Sequence, residues 1–73
     1  WLLKQYQTAV ESYDTALRIK PDQAEVHNNR GVALGDLGRH EAALDDYAKA
    51  IALKPDYAEA FNNRGLALMA LNR

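Results

Sequence analysis

The sequence contains no cysteine, only two prolines and four glycines, and no long apolar segment. Without cysteine, the chain has no disulfide framework, no thiolate zinc site and no cysteine nucleophile. Its apolar runs are too short to span a membrane, and the pattern of a signal peptide is missing. Nine Lys and Arg residues against ten Asp and Glu residues give a net charge of −1, without the basic excess that nucleic-acid binding requires. We therefore expect a cytoplasmic protein that binds neither nucleic acid nor membranes.

The chain has the composition of a small globular domain. Its 73 residues are 48% hydrophobic, which is typical of a folded helical protein rather than a disordered one. A domain of this size buries only about 60% of the surface of its unfolded chain, so an independent core is marginal. Because the chain starts at Trp1 rather than at a methionine, we expect it to be a fragment or a processed product.

An internal repeat organises the sequence. When the chain is shifted by 34 residues against itself, residues 1–39 pair with residues 35–73, and 17 of the 39 pairs are identical. Three runs recur at this spacing, which are Lys-Pro-Asp, Ala-Glu and Asn-Asn-Arg-Gly. The period divides the chain into the end of one unit, residues 1–23, a complete unit, residues 24–57, and the first helix of a third, residues 58–73.

Two helices are predicted in each unit, and four in the chain. Asp22 followed three residues later by Glu25 has the spacing of a capping box, which starts a helix. Asp56 and Glu59 repeat this pattern in the next unit. The predicted helices are residues 6–19, 23–37, 40–53 and 57–71. The fold class is therefore all-α.

Glycine and proline mark where these helices end. Gly38 supplies the left-handed conformation that terminates the helix before it, and Asn72 tolerates the same conformation at the matching place. Lys4, at the third matching place, tolerates it poorly. Pro21 and Pro55 stop the second helix of each unit, because proline cannot continue a helix.

The repeated residues resemble the tetratricopeptide repeat family, which has a 34-residue period. The complete unit carries its pattern as His27-x₂-Arg30-Gly31-x₂-Leu34, then Ala43-x₃-Tyr47, then Pro55. His27 stands where the family prefers Trp, and Arg30 where it prefers Leu. The resemblance implies antiparallel helix pairs stacked as an α-solenoid with a right-handed superhelix. It also implies a non-catalytic module for protein–protein interaction.

In this family the first helix of each unit lines a concave groove. At 100° per residue, one face of each first helix is predicted to line that groove. Asn29 and Asn63 would project there at regular spacing, each offering a donor and an acceptor to a peptide backbone. They are similar to the groove asparagines of O-GlcNAc transferase-type repeats, although solvated polar residues on an exposed face are an equally simple interpretation. The candidate partner-binding residues are Glu25, Asn28, Asn29, Val32, Asp36, Glu59, Asn62, Asn63 and Leu66.

The charges of this face indicate the kind of partner. Some members of the family grip a terminal carboxylate with cations and asparagines, but Glu25 and Glu59 would repel a carboxylate here. We therefore expect a protein or peptide partner that is neutral or basic.

No residue pattern indicates catalysis, a metal site or a cofactor. His27 and His40 are not spaced as helical metal ligands, and each falls at an aromatic-preferring place, which favours half-buried packing. The carboxylates on the predicted helix surfaces are expected to be solvated; they are Glu11, Asp14, Glu41, Asp45 and Asp46. No serine or threonine is accompanied by a triad pattern, and no glycine-rich phosphate loop is present.

Arg30 and Arg64 interrupt an otherwise apolar helix stripe. We expect their aliphatic stems to pack between helices while the guanidinium groups reach the edge. There they would pair with an aspartate or stack on a tyrosine. The candidate partners are Asp45, Asp46, Tyr13 and Tyr47.

The two ends of the chain suggest an alternative function. The last predicted helix lacks a second helix to cover it, and the first lacks most of the helix before it, of which residues 1–3 would be the remnant. Head-to-tail contact between copies would complete both, so the candidate self-association residues are Trp1, Leu2, Leu3, Leu68, Met69 and Leu71. A third alternative is the recognition arm of a larger enzyme, such as a glycosyltransferase.

Overall fold

The computed structural model describes residues 2–72, so Trp1 and Arg73 lie outside the described part of the chain. The helices are α1 (Leu2–Ile19), α2 (Ala24–Asp36), α3 (His40–Leu53) and α4 (Ala58–Ala70). Each helix packs against the next, and α2 also contacts α4. Because loops of three or four residues join helices that pack together, consecutive helices run antiparallel. The predicted all-α solenoid architecture is confirmed.

The helix bounds agree closely with prediction except at the start of the chain. The prediction for α3 is met at both ends, and α2 and α4 are each one residue shorter at both ends than predicted. The prediction that the first helix starts near residue 6 is wrong, because α1 runs without a break from Leu2. Lys4 favours a helix interior, and its carbonyl accepts a hydrogen bond from Thr8 Oγ1 at 2.9 Å. Leu2 and Leu3 therefore form the first turn of α1 rather than a remnant of an earlier helix.

The predicted capping boxes do not form. Gln23 and Tyr57 occupy the N-cap positions of α2 and α4, and neither makes a side-chain capping hydrogen bond. The first intrahelical bond of α2 runs from His27 N to Gln23 O at 3.1 Å, so Asp22 lies one residue too early to cap. The Gln23 amide instead donates to the carbonyls of Ala16 at 3.2 Å and Lys20 at 2.8 Å. It thereby satisfies carbonyls at the end of α1.

Both predicted left-handed helix ends are present. Gly38 has φ 81° and Asn72 has φ 61°. Gly38 carries no side chain to strain in this conformation, and asparagine tolerates it better than most residues. These residues end α2 and α4 at matching places of the repeat.

The core lies between α2, α3 and α4. It consists of Leu34, Ala43, Tyr47 and Ala67, with Val10 and Leu44 packed against it. Tyr47 is 4% exposed, and its ring lies directly on Gly31. A Cβ atom built on Gly31 would be 2.5 Å from Tyr47 Cε1 and 2.9 Å from Cδ1. The α2 and α3 helices therefore approach each other closely at Gly31.

Gly31→Ala is expected to destabilise the fold. Overpacking typically costs about 1–3 kcal/mol, which outweighs the roughly 0.5–1 kcal/mol that alanine contributes as the better helix former. Gly65→Ala is the matched control, since a Cβ there would meet no described atom within 4 Å apart from its chain neighbours and the backbone of its own helix. We expect urea unfolding to show lower stability for Gly31→Ala and slightly higher stability for Gly65→Ala. Equal shifts would contradict the close packing.

A second prediction concerns alkaline pH. Burial raises the pKa of Tyr47 from its ordinary value of 10.0 to about 12, with Asp36 and Asp46 adding to the shift. The fold therefore favours the neutral phenol, and this contribution is fully present below pH 10 and is lost as the pH rises toward 12. In Tyr47→Phe, thermal unfolding between pH 9 and pH 12 should show a smaller loss of stability than in the unmodified chain. An identical loss of stability in both chains would contradict the assignment of this alkaline effect to Tyr47.

Candidate functional site

The candidate binding surface is the adjacent exposed side of α2 and α4, which we call the α2–α4 face. Seven of the nine predicted partner-binding residues are exposed on these helices, which are Glu25, Asn29, Val32, Asp36, Glu59, Asn62 and Leu66. Asn63 is half-buried and Asn28 is 1% exposed. The apolar members of the face are open to solvent, with Val32 39% and Leu66 57% exposed.

Asn28 does not face solvent as a ligand-binding residue would. Its Nδ2 donates to Glu59 Oε1 at 3.4 Å, and its Oδ1 accepts from Asn63 Nδ2 at 3.1 Å. This buried amide therefore links α2 to α4 through two residues of the α2–α4 face. The repeat pattern could not show this burial. Asn62 is the identical residue at the matching place of the next unit, and it is exposed.

The hydrogen-bond chain fixes the orientation of Asn63. The Glu59 carboxylate only accepts, so the Asn28 amide nitrogen must point toward it and the Asn28 oxygen toward Asn63. Asn63 consequently donates with one N–H to Asn28. Its carbonyl oxygen and its second N–H remain for other partners.

Asn63 borders a cleft of about 210 Å³ between α2, α3 and α4. The walls are largely apolar, and the cleft is lined by Val32, Gly35, Asp36, His40, Tyr47, Asn63, Leu66 and Ala67. Within residues 2–72, no cationic side chain lies at ion-pair distance from Asp36. The cleft thus combines apolar walls with an unneutralised carboxylate and an amide.

The other two acids of the α2–α4 face have partners within the chain. Glu25 lies 3.7 Å from Lys54 Nζ, and that ammonium group also lies over the Tyr57 ring at 4.7 Å from its centroid. Glu59 accepts from Asn28. The negative charge available to a ligand is therefore greatest at Asp36.

Asn29 lies in a different environment from Asn63. It borders a second cleft of about 310 Å³, lined on the α1 side by Tyr6, Ala9 and Tyr13. Within the described residues, Asn29 makes no side-chain hydrogen bond to another part of the chain. Its donor and acceptor groups both remain open to solvent.

A buried polar network lies on the side of α2 that is opposite the α2–α4 face. Asp46 is 2% exposed, and its two oxygens accept from Arg30 Nε at 2.8 Å and Nη2 at 2.7 Å. Arg30 Nη1 also donates to Asp14 Oδ1 at 2.8 Å. The expected aspartate pairing of Arg30 is confirmed with Asp46, whereas the expectation that Asp46 is solvated is wrong. Asp14 is exposed, but it is paired with Arg30. Arg64, the counterpart of Arg30 in the next unit, stacks on the Phe61 ring at 5.1 Å from the ring centroid.

His27 joins this network and has no nitrogen left for chemistry. Its Nδ1 lies 3.1 Å from Asp46 Oδ1, and its Nε2 lies 3.0 Å from the Pro21 carbonyl oxygen. Both ring nitrogens lie within hydrogen-bond distance of oxygen atoms of the fold, so neither is open to a ligand. His27 is 6% exposed, more deeply buried than the predicted half-buried position. The His–Asp contact is thus a packing interaction between α2 and α3.

The buried ion pair gives a quantitative prediction. Removing one partner of a buried pair leaves the other charge uncompensated, and Asp46→Asn is expected to cost about 3 kcal/mol of unfolding free energy. Asp14→Asn is the control, because its exposed pair with Arg30 contributes at most about 1 kcal/mol. A urea-unfolding cycle that combines Asp46→Asn with Arg30→Leu should show strong coupling. Equal costs for the two asparagine variants would contradict this view of the network.

The predicted self-association residues lie at the two ends of the helix array. Leu2 and Leu3 are 60% and 61% exposed, and Met69 is 70% exposed. Leu68 and Leu71 are half-buried. Trp1 lies outside the described residues.

Two further searches of residues 2–72 give negative results. No helix there is long and apolar enough to cross a membrane. No group of three or more histidines and acids in this range has the geometry of a metal site.

The sequence matches a family model, that of the TPR repeat, over residues 2–38 and again over residues 35–72. A search of curated proteins gave no match. The first matched range contains α1 and α2, and the second contains α3 and α4. TPR repeats are generally protein–protein interaction modules and are typically non-catalytic. Because the two matched ranges together cover residues 2–72, the chain belongs to the TPR repeat family.

Proposed function

We propose that this chain binds an extended peptide of a protein partner across the α2–α4 face, and that the peptide carries a basic side chain. The observation that carries this proposal is the cleft beside Asn63, where an amide oriented by Asn28 lies next to the unneutralised carboxylate of Asp36. The ligand contacts fall into three kinds, which are backbone, apolar and ionic.

Asn63 and Asn29 provide the contacts to the peptide backbone. Asn63 has a carbonyl oxygen and one N–H free, and Asn29 has its whole amide free. An amide pairs with a peptide N–H and C=O whatever the peptide's side chains are. Because Asn28 holds Asn63 in place, binding loses less side-chain entropy there than it would with a freely rotating amide.

Val32 and Leu66 provide the apolar contacts. Both are exposed and border the 210 Å³ cleft, Val32 from α2 and Leu66 from α4. The aliphatic stem of a lysine or arginine fits between such walls, since these side chains bury their methylene groups and keep the charged end near polar groups. Burial of the two exposed side chains supplies the apolar part of the affinity.

Asp36 provides the ionic contact and sets the preference for a basic peptide. It borders both the 210 Å³ cleft and the 310 Å³ cleft, so a cation held by it lies between Asn29 and Asn63. Charge complementarity at such a site discriminates against acidic peptides more than it raises total affinity.

The probes that test this proposal are two blocked nine-residue peptide libraries, degenerate at eight positions, with Lys at the central position of one and Glu at that of the other. We expect the Lys library to bind at least about tenfold more tightly by fluorescence polarisation, a difference of roughly 1.4 kcal/mol. Asp36→Asn should remove most of that difference. Asp56→Asn makes the same charge change in the exposed α3–α4 loop and should leave it intact.

A second pair of variants tests the backbone contacts. Asn29→Ala and Asn63→Ala should each weaken binding of both libraries to a similar degree, because backbone contacts do not depend on the central residue. Asn62→Ala is the control, since Asn62 is exposed and does not border either cleft. Equal binding of the two libraries, or full binding by Asn29→Ala and Asn63→Ala, would overturn the proposal.

A further inference from the structure

The 210 Å³ cleft has an imidazole ring at its border, that of His40. His40 is the first residue of α3 and is half-buried. A Cβ atom built on Gly35 would lie 4.0 Å from His40 Nδ1, so the ring lies beside a residue of α2 that has no side chain. Within residues 2–72, the His40 side chain makes no hydrogen bond or ion pair. The imidazole is therefore available to a ligand in the cleft.

Acceptor oxygens border the same cleft. Asp36 contributes two carboxylate oxygens, and Asn63 contributes the carbonyl oxygen that its hydrogen bond to Asn28 leaves free. Burial raises the pKa of Tyr47 to about 12, and the negative charge of Asp36 adds to this shift. The Asp36 charge is thus felt at the phenol that borders the cleft. A cation placed there would meet three acceptor oxygens.

The size of the cleft suits one long side chain. Pockets that hold small-molecule ligands usually have volumes of about 300–1,000 Å³, which is larger than the 210 Å³ of this cleft. Val32 and Leu66 at its border can pack on the methylene groups of a side chain that ends in a polar group. The matching ligand group is therefore a single long basic side chain.

We propose that this cleft selects arginine over lysine as the basic residue of the bound peptide, with the guanidinium group held between the Asp36 carboxylate and the His40 ring. This inference rests on the proposed function, since it names the side chain that the α2–α4 face takes. Both cations satisfy the charge of Asp36, and they differ in hydrogen-bond geometry, in hydration and in their contact with a ring.

The acceptors of the cleft match a guanidinium group better than an ammonium group. A guanidinium group is planar with five N–H donors, and two of them can pair with both oxygens of Asp36 at once. A further N–H is left for the carbonyl oxygen of Asn63. Lysine is a point charge without this fork of donors. Within the fold, Asp46 accepts Arg30 in the same bidentate way, from Nε at 2.8 Å and from Nη2 at 2.7 Å.

The His40 ring adds a contact that favours the planar cation. Guanidinium groups stack on aromatic faces and are more weakly hydrated than ammonium groups, so they enter a partly apolar cleft at lower cost. Arg64 stacks in this way on Phe61 within the chain. Of the two aromatic residues at the cleft, Tyr47 is 4% exposed and its ring lies on Gly31. His40 is therefore the ring that a ligand can reach.

A third blocked nine-residue library, with Arg at the central position, tests this inference beside the Lys and Glu libraries. In this test the other eight positions of all three libraries exclude charged residues. Fluorescence polarisation is measured at pH 8, where histidine is ordinarily neutral. We expect the Arg library to bind about tenfold more tightly than the Lys library, through bidentate pairing and stacking. The Glu library should bind more weakly than both.

Variants of His40 test the contact with the ring. His40→Leu and His40→Gln both remove the ring, one with an apolar and one with a polar side chain. Each should reduce the preference for Arg over Lys to about threefold or less, while the preference for Lys over Glu remains. His40→Phe keeps an aromatic face and should keep most of the preference for Arg.

Phe61→Leu is the matched control. It also removes an aromatic ring, from an exposed place of α4 that borders neither the 210 Å³ cleft nor the 310 Å³ cleft. The preference for Arg over Lys should be the same as in the unmodified chain. Circular dichroism should show the same helical content in all four variants.

Two results would overturn this inference and leave the proposed function standing. One is equal binding of the Arg and Lys libraries, with both tighter than the Glu library. The other is a preference for Arg that is unchanged in both His40→Leu and His40→Gln. Equal binding of all three libraries by the unmodified chain would instead overturn the proposed function, and this inference with it.

Discussion

The close contact of Tyr47 with Gly31 is the constraint on which the helix arrangement depends. A side chain on Gly31 would meet the Tyr47 ring at 2.5 Å, so this spacing of α2 and α3 exists only with glycine there. The ring in turn lies among Leu34, Ala43 and Ala67, which brings α4 into the same core. In a solenoid each unit contacts only its neighbours, and a single aromatic ring here serves both the contact within a unit and the contact with the next.

Buried polar groups add specificity to this apolar contact. The Asp46 carboxylate accepts hydrogen bonds from Arg30 and also lies beside His27. These contacts form together in only one register of α2 against α3. Asn28 does the same between α2 and α4 through Glu59 and Asn63. A slip of either helix would leave a buried amide or carboxylate unpaired, which costs more than the pairing itself contributes. The contact between His27 and Asp46 therefore helps to fix the register of α2 against α3.

The same packing leaves a surface for a partner on α2 and α4. The α2–α4 face has clefts, exposed apolar side chains and oriented amides, which suit an extended peptide.

The sequence by itself determined the period and the four helices, because these depend on local propensity and on residues that recur at a fixed spacing. It also indicated that Arg30 would pair with an aspartate or stack on a tyrosine, and the structure shows the aspartate pair. Only the tertiary structure decided that Asn28 and Asp46 are buried, since their partners Glu59 and His27 lie 31 and 19 residues away. The repeat could not reveal this, because Asn62 is identical to Asn28 and yet exposed. Burial depends on which helix lies opposite, and a residue type does not specify its neighbour.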